Sequence, residues 1–310
     1  MLASDHPPPV GESEVWVERL RPGFIFSERY RLIGHVASGG MGQVWEALDD
    51  VLQRRVALKI MHLHIQEDAA LIERFKDEAR FAAQLTHPNI VTIHDFLEFE
   101  GLSYLVMEMV DGLTLADLLS RGPLAVGQVR TLLYELASAL AVAHEAGVIH
   151  RDIKPANVLV SETGAKLTDF GIARSISGHS HTLTGQVLGT ANYLSPEHAL
   201  GQLLGPASDV YGLGVLAHEM LTGEKPFDRA TPIATALAHV QDPPPPLPEG
   251  TPADLASLIS SCLAKDPEAR PSAALLVKML EAPAVEEDVP LDEEDPEATA
   301  LMAVPRRAIL

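Results

Sequence analysis

Cysteine is almost absent from this sequence, which has one, Cys262, in 310 residues. A single cysteine excludes an internal disulfide and is typical of a chain that works in a reducing compartment. No apolar run reaches the roughly 18 residues that a membrane-spanning helix needs. The N-terminus is polar and rich in proline, which excludes a secretory signal. These absences predict a soluble, cytoplasmic protein without a membrane span.

Basic residues are also scarce, because 23 lysines and arginines stand against 43 aspartates and glutamates, for a formal net charge of −20. Broad nucleic-acid binding depends on many cations that neutralise phosphates, so this balance excludes that class of function. The acidic surplus favours solubility. An anionic ligand would have to be bound by a few placed cations and metal ions.

Three regions differ in composition. Residues 1–29 contain a proline run at 7–9, and they predict a loosely structured N-terminal extension. Residues 30–281 carry regular hydrophobic patterns, and the chain, 46% hydrophobic, can bury a sizeable core. From residue 281 onward there are nine acidic and two basic residues among prolines, which predicts an acidic disordered tail over 282–310.

The spacing of apolar residues changes along the body of the chain. Short β-rich runs predict strands early in the sequence, at 30–36, 43–48, 55–60, 90–95 and 103–108. Apolar residues at helical spacing predict helices, most clearly at 67–85, 129–146, 209–221 and 254–264. This order predicts an α+β chain with a small β-rich lobe followed by a larger, mainly helical lobe.

The segment His150-Arg151-Asp152-Ile153-Lys154-Pro155-Ala156-Asn157 carries the strongest chemical signal, and Asp169-Phe170-Gly171 follows it. Phosphoryl transfer needs a carboxylate to accept the proton of the attacking hydroxyl and hard oxygen ligands for a metal ion. Asp152 suits the first role, and Asn157 and Asp169 suit the second. A single aspartate is more often a cap or turn residue, so the prediction depends on the combined pattern.

Two further motifs precede this segment. Ser38-Gly39-Gly40-Met41-Gly42 is a glycine-rich turn that would let backbone N–H groups approach phosphates. Val56-Ala57-Leu58-Lys59 is an apolar strand that ends in a cation. Alone, the first is a weak signal and the second is more simply a surface lysine at a strand end. Their position before the catalytic segment favours phosphate contacts.

In order and spacing these motifs resemble those of the protein kinases, in particular the bacterial eukaryotic-like (Hanks-type) serine/threonine kinases. The resemblance covers about residues 30–281. It implies the bilobal kinase fold, with an N-lobe at about 30–110 and a C-lobe at about 111–281. It also implies ATP-dependent transfer of the γ-phosphate to Ser and Thr hydroxyls of protein substrates, with Mg²⁺ as the metal and Mn²⁺ as the alternative ion.

The resemblance also assigns roles in the small lobe. Lys59 would contact the α- and β-phosphates and pair with Glu78 of the next helix, with Glu73 as the alternative partner. In the segment that joins the lobes, Met107 would be the gatekeeper at the back of the pocket. The backbones of two residues, Glu108 and Val110, would hydrogen-bond adenine.

The remaining nucleotide-binding residues implied by the resemblance come from the glycine-rich loop, the lysine strand and the catalytic region: Ala37, Ser38, Gly39, Gly40, Met41, Gly42, Val44, Ala57, Asn157 and Asp169. Ala37 departs from the family pattern, which has glycine at this place. Because alanine is the smallest replacement, we expect a modest loss of nucleotide affinity.

In the large lobe, Lys154 would stabilise charge that develops on the γ-phosphate. Glu197 would pair with Arg270 as part of the scaffold, and Asp209 would hold the backbone of the catalytic loop. His150 is expected to pack under that loop and to take no part in proton transfer.

Control of the activity is expected in the loop from Ile172 to Leu188, which the resemblance identifies as the activation loop. Arg151 would belong to a basic pocket that receives a phosphorylated loop. The positions of Thr182 and Thr184 resemble the paired phosphorylation sites of bacterial kinases, and we expect autophosphorylation there. Weaker candidates are Ser175, Ser177 and Ser180.

Other functions stay open at this point. A nucleotide-binding pseudokinase or signalling scaffold usually lacks the lysine or an aspartate that are present here, so only Ala37 favours it. A kinase for small molecules usually lacks the extended activation segment and the Ser195-Pro196-Glu197 motif. The tail offers Thr299 as a phosphorylated ligand for a phosphothreonine-binding partner, although a solubilising tail is the simpler interpretation. A transient homodimer through the small lobes is a further hypothesis.

Overall fold

The computed structural model describes residues 20–39, 42–61, 69–99, 102–170 and 191–281. For residues 69–72, 74, 75 and 78 it describes the backbone alone. Several predicted residues therefore lie outside the described side chains or segments: Gly40, Met41, Glu78, Gly171, Ser175, Ser177, Ser180, Thr182, Thr184 and Thr299.

Six antiparallel strands form the sheet of the N-lobe, in the order β1-β2-β3-β4-β6-β5. They are β1 (Ile25–Phe26), β2 (Tyr30–Gly39), β3 (Gly42–Asp49), β4 (Arg54–Met61), β5 (Ile93–Phe99) and β6 (Leu102–Glu108), and helix α1 (Ala69–Ala82) lies between β4 and β5 in the chain. Residues of β4 alternate between the two faces, as strand geometry requires. Val56, Leu58 and Ile60 join an aromatic core, whereas Ala57 and Met61 join a second cluster at the cleft.

Strand β1 lies inside the predicted N-terminal extension, so the expectation of a loose lead-in is wrong for residues 20–29. Phe26 is fully buried, and its ring lies 4.9 Å from that of Phe24 and 5.0 Å from that of Tyr104. Burial of large aromatic surfaces stabilises such a segment strongly. The strand is only two residues long, too short for an alternation pattern to reveal it.

Strand β5 begins three residues later than the sequence predicts. Ile90 forms an isolated parallel bridge with Leu167, and the Val91 N–H donates to the Leu167 carbonyl at 2.8 Å. Ile90 and Val91, the first part of the apolar run, are therefore hydrogen-bonded to the C-lobe. The chain joins the sheet of the N-lobe only at Ile93. This linker joins the two lobes beside the cleft.

The C-lobe is mainly helical. Its helices are α2 (Leu115–Leu119), α3 (Val126–Glu145), α4 (Pro196–Ala199), α5 (Pro206–Thr222), α6 (Pro232–Gln241), α7 (Ala253–Cys262) and α8 (Ala273–Glu281), with 3₁₀ turns at Pro155–Asn157, Ala191–Tyr193 and Pro267–Ala269. A small sheet of β7 (Gly112–Thr114), β8 (Val158–Ser161) and β9 (Gly164–Leu167) lies at its upper edge. The predicted two-lobe α+β architecture is confirmed.

Helix α5 is the centre of the C-lobe core. It is buried from Ser208 to Leu221, and it ends at Gly223, whose φ of +73° suits a left-handed helix stop. At Gly212 a Cβ atom would lie 2.9 Å from the Cβ of Ile153, so glycine permits the helix to approach the catalytic loop. Among the described residues, no helix is long and apolar enough to cross a membrane.

Candidate active site

The catalytic loop brings three of the predicted residues into direct contact. Lys154 Nζ lies 2.6 Å from Asp152 Oδ2. The side-chain amide of Asn157 donates to the same oxygen at 2.9 Å and to the Asp152 backbone carbonyl at 2.8 Å. Pro155 begins the 3₁₀ turn that carries Asn157 back toward Asp152. The carboxylate is thus held in one orientation by a cation and an amide.

Asp209, in the first turn of α5, holds this loop from below. Its carboxylate accepts the backbone N–H groups of His150 at 2.8 Å and of Arg151 at 2.7 Å, and it contacts His144 Nε2 at 2.8 Å. Arg151 has a φ of +68°, an uncommon conformation for a residue with a side chain. The two hydrogen bonds that the loop donates to Asp209 help to hold this conformation, and the predicted contact with the loop backbone is confirmed.

His150 is fully buried under the loop. Its Nε2 atom lies 2.9 Å from the Thr168 carbonyl, and its ring packs 4.6 Å from that of Phe170. Both contacts join the catalytic loop to the strand that leads to Asp169. A packing role for His150, as the sequence predicts, follows from these contacts.

Lys59 reaches across the cleft to Asp169, with Nζ 2.6 Å from Oδ1. Burial would raise the pKa of the Asp169 carboxyl, but Lys59, with smaller effects from His150 and Lys154, lowers the pKa below its ordinary value. The His150 contact with the Thr168 carbonyl joins the catalytic loop to the residue before Asp169, so the loop and the Lys59–Asp169 pair share one site. In addition, the Thr168 N–H donates to the Asn157 carbonyl at 3.1 Å, which places the two candidate metal-binding segments side by side.

The predicted Lys59–Glu78 pair stays a prediction, because α1 includes Glu78 but its side chain is not described. Glu73, the alternative partner, is exposed, and its Oε1 atom lies 3.0 Å from Lys76 Nζ. Lys76 also contacts Glu98 of β5 at 2.7 Å. This arrangement places Glu73 in a different ion pair from that of Lys59.

An apolar cluster lies between the lobes beside these charges. Buried Ala57 and Met107 come from the N-lobe sheet, and buried Leu159 comes from β8 of the C-lobe. Val44 and Val110 are partly buried against the cluster. Flat aromatic bases are bound in proteins by such apolar walls, so the predicted adenine-binding residues are brought together.

The glycine-rich loop is described at its two ends. Ala37, Ser38 and Gly39 end β2, and Ala37 is the Cα partner of Val44 on β3. A Cβ atom at Gly42 would overlap the Ile60 carbonyl, so only glycine allows β3 to pair this closely with β4. The residues predicted at the loop tip lie outside the described part of the chain.

In the segment between the lobes, the Glu108 N–H donates to the Thr92 carbonyl at 2.9 Å. Adenine would therefore have to use the Glu108 carbonyl and the Val110 backbone. The Glu108 carboxylate binds Lys166 of β9, with Nζ 2.9 Å from Oε1. Lys166 was not predicted, and its only signal is a lysine in an apolar strand three residues before Asp169.

The predicted Glu197–Arg270 pair is present and buried. The guanidinium binds both carboxylate oxygens, at 2.8 and 2.9 Å, and the Ser208 hydroxyl donates to Glu197 at 2.7 Å. Burial opposes ionisation of Glu197, but Arg270 and Ser208 outweigh it and lower the pKa of the carboxyl to about 2. A second anchor of the same region was not predicted: the Tyr193 hydroxyl donates to Glu219 at 2.6 Å.

The donor atoms of the cleft fit a nucleotide with a hard metal ion. Both described contacts of the Asn157 amide nitrogen go to Asp152, which leaves Oδ1 as the atom suited to a metal ligand. The Asp169 carboxylate is the second oxygen donor, and Lys59 is the cation for phosphate charge. Two lobes, an apolar slot and these groups define a nucleotide-dependent phosphotransferase site.

The chain belongs to the protein kinase family, because the family model of the protein kinase domain matches residues 30–280. It is 46% identical over 257 residues to the serine/threonine-protein kinase PknA of Mycobacterium tuberculosis (strain ATCC 25177 / H37Ra), over 81% of this chain and 60% of PknA. It is 43% identical over 254 residues to the probable serine/threonine-protein kinase PknB of Lactococcus lactis subsp. lactis (strain IL1403), over 80% of this chain and 40% of that relative.

The crystal structure of the M. tuberculosis PknI kinase domain matches with a TM-score of 0.67 and 28% identity, over 84% of this chain and 97% of that one. The predicted resemblance to bacterial serine/threonine kinases is confirmed. This family in general uses ATP, a divalent metal and protein substrates. The chain spans about 60% of PknA and 40% of PknB.

Proposed function

We propose that this protein is an ATP-dependent serine/threonine protein kinase that transfers the γ-phosphate to Ser and Thr hydroxyls of proteins. The observation that carries the proposal is that the Asp152–Lys154–Asn157 contacts and the Lys59–Asp169 pair lie side by side, linked by the hydrogen bond from the residue before Asp169 to the Asn157 carbonyl. The similarity to kinases named for serine/threonine specificity supports the substrate class.

Asp152 would accept the proton of the substrate hydroxyl. Its Oδ2 atom is bound by Lys154 and Asn157, so Oδ1 is the atom directed to the substrate. These contacts also fix the carboxylate before the substrate arrives, which lowers the entropic cost of alignment. Lys154 then stands beside the charge that develops as the proton leaves.

Bound ATP would supply the transferable phosphoryl group, and the metal would neutralise its charge. The hard oxygens of Asn157 and Asp169 favour Mg²⁺, with Mn²⁺ as the alternative ion. Lys59 would hold the phosphates, and the apolar cluster around Ala57, Met107 and Leu159 would hold the base. Glu78 is proposed as the partner that keeps Lys59 extended.

The test is transfer of radiolabel from γ-labelled ATP to a generic protein substrate with Mg²⁺, followed by phosphoamino-acid analysis. We expect label on Ser and Thr, and a fall in rate of about 10³-fold in Asp152→Asn, in line with the loss of a general base. The same variant should bind ADP as tightly as the wild type. Nucleotide binding without transfer by the wild type would favour a pseudokinase, the reading that Ala37 alone supports.

Autophosphorylation of Thr182 and Thr184 is proposed as the activating step. It is supported by Arg151, the basic residue beside Asp152, and by the place of both threonines between Asp169 and Ser195. Phosphopeptide mapping after incubation with ATP should find both sites. Phosphatase treatment should lower the rate, and an unchanged rate would contradict the proposal.

Three wider proposals concern location, a binding partner and self-association. A cytoplasmic location is supported by the single cysteine, Cys262, which is buried and free.

A phosphothreonine-binding partner at Thr299 is supported by its acidic, proline-containing surroundings, and phosphorylated and unmodified tail peptides would test it in a pull-down. A transient homodimer would be tested by sedimentation at working concentration.

A further inference from the structure

An ion pair between Lys166 and Glu108 joins β9 of the C-lobe to the end of β6 in the N-lobe sheet. Lys166 Nζ lies 2.9 Å from Glu108 Oε1 and donates to Oε2 at 3.1 Å. The two side chains are only 16% and 28% exposed. Since water screens such a pair less than it screens a surface pair, the attraction between the charges is stronger than at the surface.

Glu108 is tied by its backbone as well as by its carboxylate. Its N–H donates to the Thr92 carbonyl at 2.9 Å, and the Thr92 N–H donates back to Glu108 Oε2 at 3.2 Å. This reciprocal pair joins the end of β6 to the linker before β5. Lys166 adds the C-lobe to the same carboxylate, so three chain segments meet at one side chain.

Lys166 stands on the strand that positions the rest of the pocket. Its Cα partner across the small sheet is Leu159, the residue that the C-lobe contributes to the apolar cluster. The next residue, Leu167, exchanges backbone hydrogen bonds with the linker, donating to Asn89 at 2.9 Å and accepting from Val91 at 2.8 Å. Asp169 follows two positions later. The Lys166–Glu108 pair therefore connects the end of β6 to β8, which carries Leu159, and to β9, which leads to Asp169.

We propose that Lys166 is a positioning residue for nucleotide binding. It acts through Glu108 to fix the distance between residues 108–110, at the end of β6, and Leu159 on the C-lobe side of the apolar cluster. The inference rests on the proposed function, in that the backbones of Glu108 and Val110 are taken to bind adenine. Without the pair, the apolar walls around the base would be held less firmly. Base affinity would fall, whereas Asp152 and Lys154 would keep their contacts.

The experiment measures the Kd of adenosine and of ADP with Mg²⁺ by calorimetry, together with KM for ATP and kcat. The variants are Lys166→Met, Lys166→Arg, Glu108→Gln and the double variant Lys166→Met/Glu108→Gln. Methionine keeps an unbranched apolar stem and removes the charge. We expect Lys166→Met to raise both Kd values and KM about tenfold, a change of about 1.4 kcal/mol, with kcat within about twofold.

Two comparisons separate positioning from general stability. Lys166→Arg should restore most of the affinity, and the double variant should lose less than the sum of the single losses, because the partners share one interaction. The matched control is Arg130→Met, which breaks a 2.6 Å pair with Asp254 between α3 and α7, with side chains 21% and 43% exposed. This control should leave both Kd values unchanged.

The inference is overturned if Lys166→Met lowers the melting temperature but binds adenosine like the wild type. It is also overturned if Arg130→Met weakens binding equally, or if the single losses add fully in the double variant. A wild-type protein that binds adenosine without transferring phosphate would refute the proposed function alone, since the binding data would still decide the role of Lys166.

Discussion

Two ion pairs of this protein differ in how completely their charges are bound. Arg270 uses all five of its N–H groups, two on Glu197 and three on the carbonyls of Ala264, Lys265 and Ala207. The side chains of this pair are 0% and 5% exposed. In the cleft, Lys59 contacts one oxygen of Asp169, and the two side chains are 8% and 25% exposed.

The comparison separates a structural pair from an exchangeable one. A buried charge with every donor satisfied cannot take a new partner without a large cost. Lys59 and Asp169 can instead accept phosphate and metal in place of each other. Asp169 also has a φ of +64°, a strained conformation of the kind found where a side chain must be aimed at a ligand.

The largest expected effect is the loss of the structural pair. Arg270→Met would leave the Glu197 carboxylate buried without its cation, so the free energy of unfolding should fall by about 3–5 kcal/mol. Urea unfolding measures this change. A loss below about 1 kcal/mol would show that the pair is no more than a surface-type contact.

The pH dependence of the same pair gives a somewhat smaller effect. Because the pKa of Glu197 is lowered from 4.5 to about 2 in the folded protein, its contribution is present above pH 4.5 and lost as the pH falls toward 2. It amounts to about 3 kcal/mol. The stability difference between wild type and Glu197→Gln should therefore shrink by about half between pH 7 and pH 3. A constant difference would mean that Glu197 is not held ionised.

A third test perturbs the catalytic loop without touching a charge. Gly212→Ala would press its Cβ against Ile153, the residue between Asp152 and Lys154, and should lower the transfer rate about tenfold. Gly127→Ala is the matched control, since a Cβ there meets nothing within 4 Å. Equal rates in the two variants would show that the loop tolerates the shift.

The smallest expected effect concerns the glycine-rich loop. Ala37→Gly would restore the family pattern and should lower the Kd of ADP with Mg²⁺ by no more than about threefold, because only one methyl group is removed next to the phosphates. Val44→Ala serves as the contrast, since it removes an apolar contact of the base and should weaken binding. A tenfold gain from Ala37→Gly would mean that the alanine is a real obstacle to nucleotide.

Local patterns were enough to predict the catalytic segment, the five longest strands and four of the eight helices in the described part of the chain. Asp152, Lys154 and Asn157 lie within six residues, so their contacts depend on one turn. β1 escaped prediction because two residues carry no periodicity, and its stability comes from distant Tyr104. β5 begins after the predicted position because Ile90 pairs with Leu167 of the C-lobe and not with a strand of the N-lobe sheet.

Tertiary contacts explain what the sequence could not show in the site. Lys166 and Glu108 are 58 residues apart, and Tyr193 and Glu219 are 26 apart, so no spacing rule connects them. The Glu197–Arg270 pair is 73 residues apart and was predicted only through the family resemblance. Chemistry carried by neighbouring residues can be predicted from one sequence, whereas pairs of residues far apart in the chain are brought together only by the tertiary fold.

The most direct test of the account measures transfer rate and urea unfolding for Lys59→Met and Arg270→Met in parallel. We predict that Lys59→Met loses transfer by at least about 10²-fold, while its free energy of unfolding falls by less than that of Arg270→Met, because Asp169 is partly exposed and makes fewer contacts. Arg270→Met should lose several kcal/mol of stability. If Lys59→Met unfolds as easily as Arg270→Met, or transfers phosphate at the wild-type rate, the distinction between the exchangeable and the structural pair is wrong.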